Sequence, residues 1–185
     1  MVGPTWDLMP ALGDKWRLIA PDFPGFGYTE APDSFSYTFA GFADFLERFT
    51  ERLGLSRFAL YLFDFGSQAG LQLAVRHPDW IAALIIQNGD AYEETLGPKY
   101  QPLKEFWHDP SDERRAKLAE AVTFQGLREE ILGEVPDHVA ERISPDKDLP
   151  DAELHLHSDA GHWALETHLD EAVTLIRDFL GRVHS

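Results

Sequence analysis

The chain has 185 residues, 44% hydrophobic and 26% charged, with a formal net charge of −16 and no cysteine. That length suits one domain with a real core, and the composition is that of a folded chain rather than a disordered one. The acidity argues against nucleic acid or an anionic membrane surface as partner, and the missing cysteines exclude a disulfide framework, thiol catalysis and Cys-ligated metal.

The amino terminus lacks the charged-then-apolar layout of a signal peptide, and the longest apolar runs, 58–63 and 80–86, are far too short to span a bilayer. A cytoplasmic protein is therefore expected. Residues 1–13 are turn-rich, with one or two helical turns predicted over Asp7 to Leu12. Trp16 to Ala20 reads as a strand that ends in the turn-forming loop Pro21-Asp22-Phe23-Pro24-Gly25-Phe26-Gly27. Tyr37 to Leu53 is predicted as an amphipathic helix. Its apolar residues Phe42, Phe45, Leu46, Phe49 and Leu53 recur at helical spacing, and Gly54 sits where a C-terminal cap belongs. A strand follows over Phe58 to Phe63, then a helix over Gly66 to His77 stopped by Pro78, then a buried strand over Trp80 to Gln87. Alternating strands and helices predict a parallel sheet wrapped by helices, in which ligands bind at the carboxyl ends of the strands. Asp22, Asp64 and Asn88 fall at such ends.

From Ala91 to Ser144 the composition shifts to Glu, Arg, Lys and Pro, with short amphipathic pieces near 98–107, 112–124 and 126–132. A helical insertion is predicted there. Residues 1–90 and 147–185 then form an α/β core, and residues 91–146 a helical cap. Ala152 to Leu156 reads as a returning strand, Ser158 to His162 as a loop, and Thr167 as the start of the last helix, with Asp170 completing a capping box.

The residue that invites chemistry is Asp64. Six apolar residues run straight into this carboxylate, Gly66 follows, and a helix begins. Strand, x-Asp-x-Gly, helix is the layout of a nucleophile elbow, in which a sharp turn lifts one side chain out of the sheet. The Phe65 backbone N–H could help hold an oxyanion, and small Gly66 and Gly70 would let the helix approach the strand. A carboxylate is ionised at neutral pH and needs no base to attack saturated carbon. The resulting ester must be cleaved by activated water, a task suited to His. Among eight histidines, His162 stands out, in a short loop between the late strand and the last helix. His77 reads as a helix C-terminal cation; His108, His138, His168 and His184 read as surface residues; His155 and His157 alternate along a strand face. A rival reading takes His155, His157, Asp159 and His162 as the H-x-H-x-D-H metal motif of a zinc-dependent hydrolase, although Ala160 and Gly161 displace the final His.

These residues resemble the α/β-hydrolase superfamily, in its Asp-nucleophile branch of haloalkane dehalogenases and epoxide hydrolases. Arg17 to Thr29 is similar to that family's strand and D-x-P-G-x-G-x-S loop, with Thr29 for Ser. Leu62-Phe63-Asp64-Phe65-Gly66 is similar to its G-x-D-x-G elbow, with Leu62 for the first Gly, and Asp159-Ala160-Gly161-His162 to its D-x-G-H segment. The resemblance implies an α/β-hydrolase sheet and a hydrolase acting on a small apolar epoxide, haloalkane or ester with no cofactor and no metal, its only partners substrate and water. Asp64 would attack carbon, Phe65 N–H would hold the oxyanion, and His162 would activate water.

The departures are informative too. The family's H-G-x-P loop and its central strand have no counterpart ahead of Asp7 to Pro10. Near Ser144 to Pro150 the cap-like region runs directly into the last strand, where the rest of the cap, a further strand and the catalytic acid belong. An internally shortened, N-terminally truncated relative is implied, and its alternative is a degenerate, non-catalytic fragment. Some relatives carry the acid near Asn88; Asn cannot serve, which leaves Asp90 as a substitute. Dehalogenases often place Trp beside the nucleophile to bind halide, and Phe65 has no ring N–H to offer. Tyr92 and Tyr100 occupy the region from which epoxide hydrolases protonate the opening ring.

Overall fold

The computed structural model describes residues 5–89, 100–121, 151–155, 157, 160 and 162–183. The chain divides into two compact units, residues 1–101 with 173–185, and residues 102–172.

The first unit is an α/β arrangement. Helix α1, Thr5–Leu12, buries Leu8 and Leu12. Residues 17–23 are coil, so the strand predicted over Trp16 to Ala20 does not form; Ile19 is exposed there. A strand needs a partner to bond its backbone groups, and among the described residues the sheet has only two strands, neither of them this one. The loop after it is held by its own contacts. Asp22 accepts the Tyr28 N–H at 3.2 Å, and the Thr29 hydroxyl donates to the Asp22 carbonyl at 2.8 Å. Gly27, at φ 52°, leaves no room for a β-carbon, which would lie 2.0 Å from the Asp22 carboxylate. Asp22 therefore organises a turn rather than marking a strand end.

Helix α2, Phe39–Arg52, confirms the amphipathic pattern. Thr38 caps its start, accepting the Gly41 N–H at 3.1 Å, and Gly54 at φ 65° ends it in the left-handed conformation that glycine tolerates. The preceding loop lies along the helix through aromatic edges: Phe23 meets Phe42 at 5.2 Å and Phe45 at 5.9 Å between centroids, and Phe35 meets Phe42 at 5.7 Å. Strand β1, Phe58–Phe63, and strand β2, Ile81–Gln87, pair in parallel, Leu60 beside Leu84 and Phe63 beside Gln87. The Tyr61 hydroxyl donates to the Gln87 side-chain carbonyl across the pair, and burial pushes the phenol's pKa up. Helix α3, Phe65–Arg76, connects the strands and packs on both β1 and α2.

At the far end of α3 the two helices are joined by charge. Arg76 reaches Asp44 at 2.6 Å and Glu47 at 3.1 Å, and His77 lies 3.0 Å from Glu47. The hydrogen bond from His77, followed by that from Arg76, holds the Glu47 carboxyl below its ordinary value of 4.5. A carboxyl whose pKa is lowered by folding stabilises the fold fully above its unfolded value and loses that contribution as pH falls through the native value. The thermal-midpoint gap between the natural chain and Glu47→Gln should therefore be present at pH 6 and shrink below pH 4.5. A constant gap down to pH 3 would refute the assignment.

Helix α7, Leu169–Val183, buries Ile176 and Leu180. Its Arg177 donates to the Ala11 carbonyl and to Asp14, each at 2.5 Å, tying it to the end of α1 and lowering the Asp14 pKa. In the second unit, helices α4, Gln101–His108, and α5, Asp112–Ala121, match two of the amphipathic pieces. Arg114 joins them, 3.2 Å from Glu105 and 3.0 Å from Asp109. The third piece, 126–132, lies outside the described residues. Residues 152–155 are exposed coil, so no strand forms over them, and Leu156 lies outside the described residues. The predicted capping box is replaced as well: Thr167 ends a short helix, α6, Ala164–Thr167, and α7 starts two residues later. No described helix is long and apolar enough to cross a membrane.

Candidate active site

The junction of β1 and α3 is a strained point of the first unit. Asp64 takes φ 47° and ψ −135° between the last strand residue and the first helical one. A residue with a β-carbon there costs about 1–3 kcal/mol, and such outliers cluster at working sites. The ordinary reason for Asp at this position is to cap the helix, yet its side chain makes no cap hydrogen bond. The carboxylate is half-buried at the N-terminus of a twelve-residue helix, where backbone N–H groups and the helix dipole favour negative charge.

The turn is locked from behind. Ser67 is fully buried, and both its N–H, at 2.9 Å, and its hydroxyl, at 2.6 Å, donate to the Asp64 carbonyl. Gly89 closes on Ser67 from the end of β2; a β-carbon on it would lie 2.7 Å from that of Ser67. Asn88 takes the second positive φ of a non-glycine residue among those described, 44°. Ser67 lies three residues beyond Asp64, too far from the strand end to attack substrate. Its actual work is to hold the nucleophile candidate's backbone, and a small hydroxyl one turn into a helix is the signal that could have found it.

Of the two glycines taken as spacers, only Gly70 is one. A β-carbon on Gly70 would lie 2.2 Å from Leu62 Cδ2, whereas Gly66 faces open space. Phe65 is exposed, its ring 5.9 Å from that of Phe39, and its N–H begins the helix directly after Asp64.

His162 belongs to the second unit. It lies half-buried in the turn before α6, its ring edge-on to Trp163 at 5.7 Å. Asp90, the substitute acid, lies outside the described residues, as do Asp159 and Tyr92. Tyr100 stands just before α4. Of the proposed zinc quartet, Asp159 is thus not described. His155 is exposed beside Glu153 at 3.7 Å, and the described members share no common ligand cluster.

A family model for the alpha/beta hydrolase fold matches residues 3–135. An uncharacterised hydrolase of Saccharomyces cerevisiae is 40% identical over 102 residues, covering 55% of this chain and 35% of the yeast protein. Haloalkane dehalogenase 2 of Mycobacterium tuberculosis is 33% identical over 90 residues, 46% of this chain and 32% of that protein. The chain spans about a third of the length of these curated relatives. Among solved structures, a meta-cleavage product hydrolase from Pseudomonas fluorescens aligns with 96% of this chain and 85% of its own at a TM-score of 0.66 and 19% identity, a likeness of fold alone.

Proposed function

The chain belongs to the alpha/beta hydrolase fold family, and on that premise we propose that it is a hydrolase whose nucleophile is the Asp64 carboxylate. The observation that carries this reading is the backbone of Asp64, strained to φ 47° at a strand end while its side chain does no capping. The substrate is a small apolar epoxide, haloalkane or ester. For an epoxide or haloalkane, an Asp64 oxygen attacks carbon, and the ring oxygen or halide departs with the bonding electrons. The Phe65 N–H stabilises the oxyanion formed when water, activated by His162, adds to the ester carbonyl; collapse releases the alcohol and restores the carboxylate. The similarity to haloalkane dehalogenases supports carbon-centred attack. Phe65, with no ring N–H for a departing halide, favours the epoxide or ester.

A second reading, a non-catalytic remnant of the fold, rests on the two-stranded sheet found among the described residues. One experiment separates them. A single turnover in ¹⁸O-water should place label in the carboxyl of the peptide containing Asp64, because water attacks the ester at that carbon. Turnover without label there overturns the Asp64 assignment; no turnover across a panel of epoxides, haloalkanes and esters favours the remnant.

A further inference from the structure

In the second unit, two histidines and a glutamate converge. His157 lies in coil with its side chain 18% exposed. His168 separates α6 from α7, and its carbonyl accepts the Ala172 N–H at 3.0 Å, which sets it at the head of α7. Glu171 follows three residues later, a spacing that brings two side chains to one side of a helix. His157 Nδ1 lies 3.4 Å from Glu171 Oε2, and the rings of His157 and His168 are 5.2 Å apart. One ligand-capable atom from each of the three lies within 4.8 Å of the other two. An open depression of about 420 Å³, lined by residues 166–171, borders the cluster.

From this geometry we infer that His157, His168 and Glu171 form a binding site for a divalent transition-metal ion of the zinc class. Ligands on tetrahedral zinc, at roughly 2.0–2.1 Å from the metal, stand about 3.4 Å apart. The His157–Glu171 separation already equals that, and small side-chain rotations bring in the third atom. Two imidazoles select zinc-like ions over magnesium and calcium, which prefer oxygen ligands.

The second support is Thr167. Its Oγ1 lies 2.7 Å from His168 Nδ1 and donates its proton to the Ala164 carbonyl at 3.4 Å. When Oγ1 accepts from Nδ1–H, Nε2 is the ring nitrogen of His168 that carries the lone pair. An oxygen partner on the far nitrogen is the usual orienting device of a metal-bound imidazole. Three protein ligands leave a coordination position for water, and the exposed Glu171 carboxylate gives the ion a way in. The ion would tie His157 to the head of α7.

The test is a zinc titration of the full chain by calorimetry and by competition with a chromogenic chelator. One equivalent should bind. His157→Ala, His168→Ala and Glu171→Gln should each weaken binding at least about tenfold, and Thr167→Val, which keeps all three ligands, by about tenfold. His155→Ala should change it less than twofold, a tenfold excess of magnesium should not displace the zinc, and zinc should raise the melting midpoint of the natural chain more than that of Glu171→Gln. No stoichiometric binding overturns the site. So does a Glu171→Gln or His168→Ala chain that melts like the natural one and binds zinc within twofold of it, or a loss of binding in His155→Ala.

Discussion

Replacing Asp64 with Asn should lower hydrolysis by about a thousandfold or more while leaving the melting midpoint nearly unchanged. Asn keeps the shape of the side chain but has no carboxylate oxygen to displace a leaving group, and loss of a covalent nucleophile has effects of this size or greater. The fold should tolerate it, because Asn accepts positive φ better than most residues, and Asn88 already sits at 44° in this protein. Asp64→Gly separates strain from chemistry. It too should be inactive, but it removes the β-carbon that makes φ 47° costly, and should gain about 1 kcal/mol, seen as a midpoint roughly 2–4 °C higher. Paired kinetics and melts on the two variants read both effects. An Asn variant that turns over substrate at the natural rate removes Asp64 from the mechanism, and a Gly variant less stable than the natural chain removes the argument from strain.

The second large effect concerns stability. Gly70→Val should destabilise the chain by about 2–3 kcal/mol, whereas Gly66→Ala should be neutral or gain about 0.5 kcal/mol. Leu62 is 4% exposed, and its Cδ2 occupies the place a β-carbon on Gly70 would need, 2.2 Å away. The added methyl groups must push Leu62 off its rotamer or lift α3 from β1, and either disturbs the strand end that carries Asp64. Gly66 has open space at the same point, so a methyl there brings only the better helix propensity of Ala. Denaturant melts of both variants decide the matter, and Leu62→Ala should recover part of the Gly70→Val loss. Equal melts for the two glycine variants would show that the close approach of α3 to β1 is not what Gly70 provides.

How far the sequence reached can be followed residue by residue. The ends of α2, the span of β1 and the start of β2 were legible to within a residue or two. Their signals are local: helical spacing of Phe42, Phe45 and Phe49, a left-handed glycine at 54, an apolar run broken by a charge. Asp64 was legible as a candidate for the same reason, since the junction it occupies is defined by neighbours in the chain. The zinc-class cluster was not. His168 read as a surface residue because its partners are His157, eleven positions earlier, and Glu171, and only folding brings a coil residue to the head of α7.

By itself, then, the amino-acid order determined the helix and strand periods, the caps, and the abrupt apolar-to-acid step at residue 64, because each depends on atoms a few bonds apart. Tertiary structure decided the rest. It left Trp16 to Ala20 and residues 152–155 as coil, because a strand is completed only by hydrogen bonds from another strand. It distinguished Gly70 from Gly66, because close approach is a property of two elements and not of one. It also turned Ser67 inward to grip the Asp64 carbonyl, because only the packed helix, with Gly89 pressed against it, holds that hydroxyl in place.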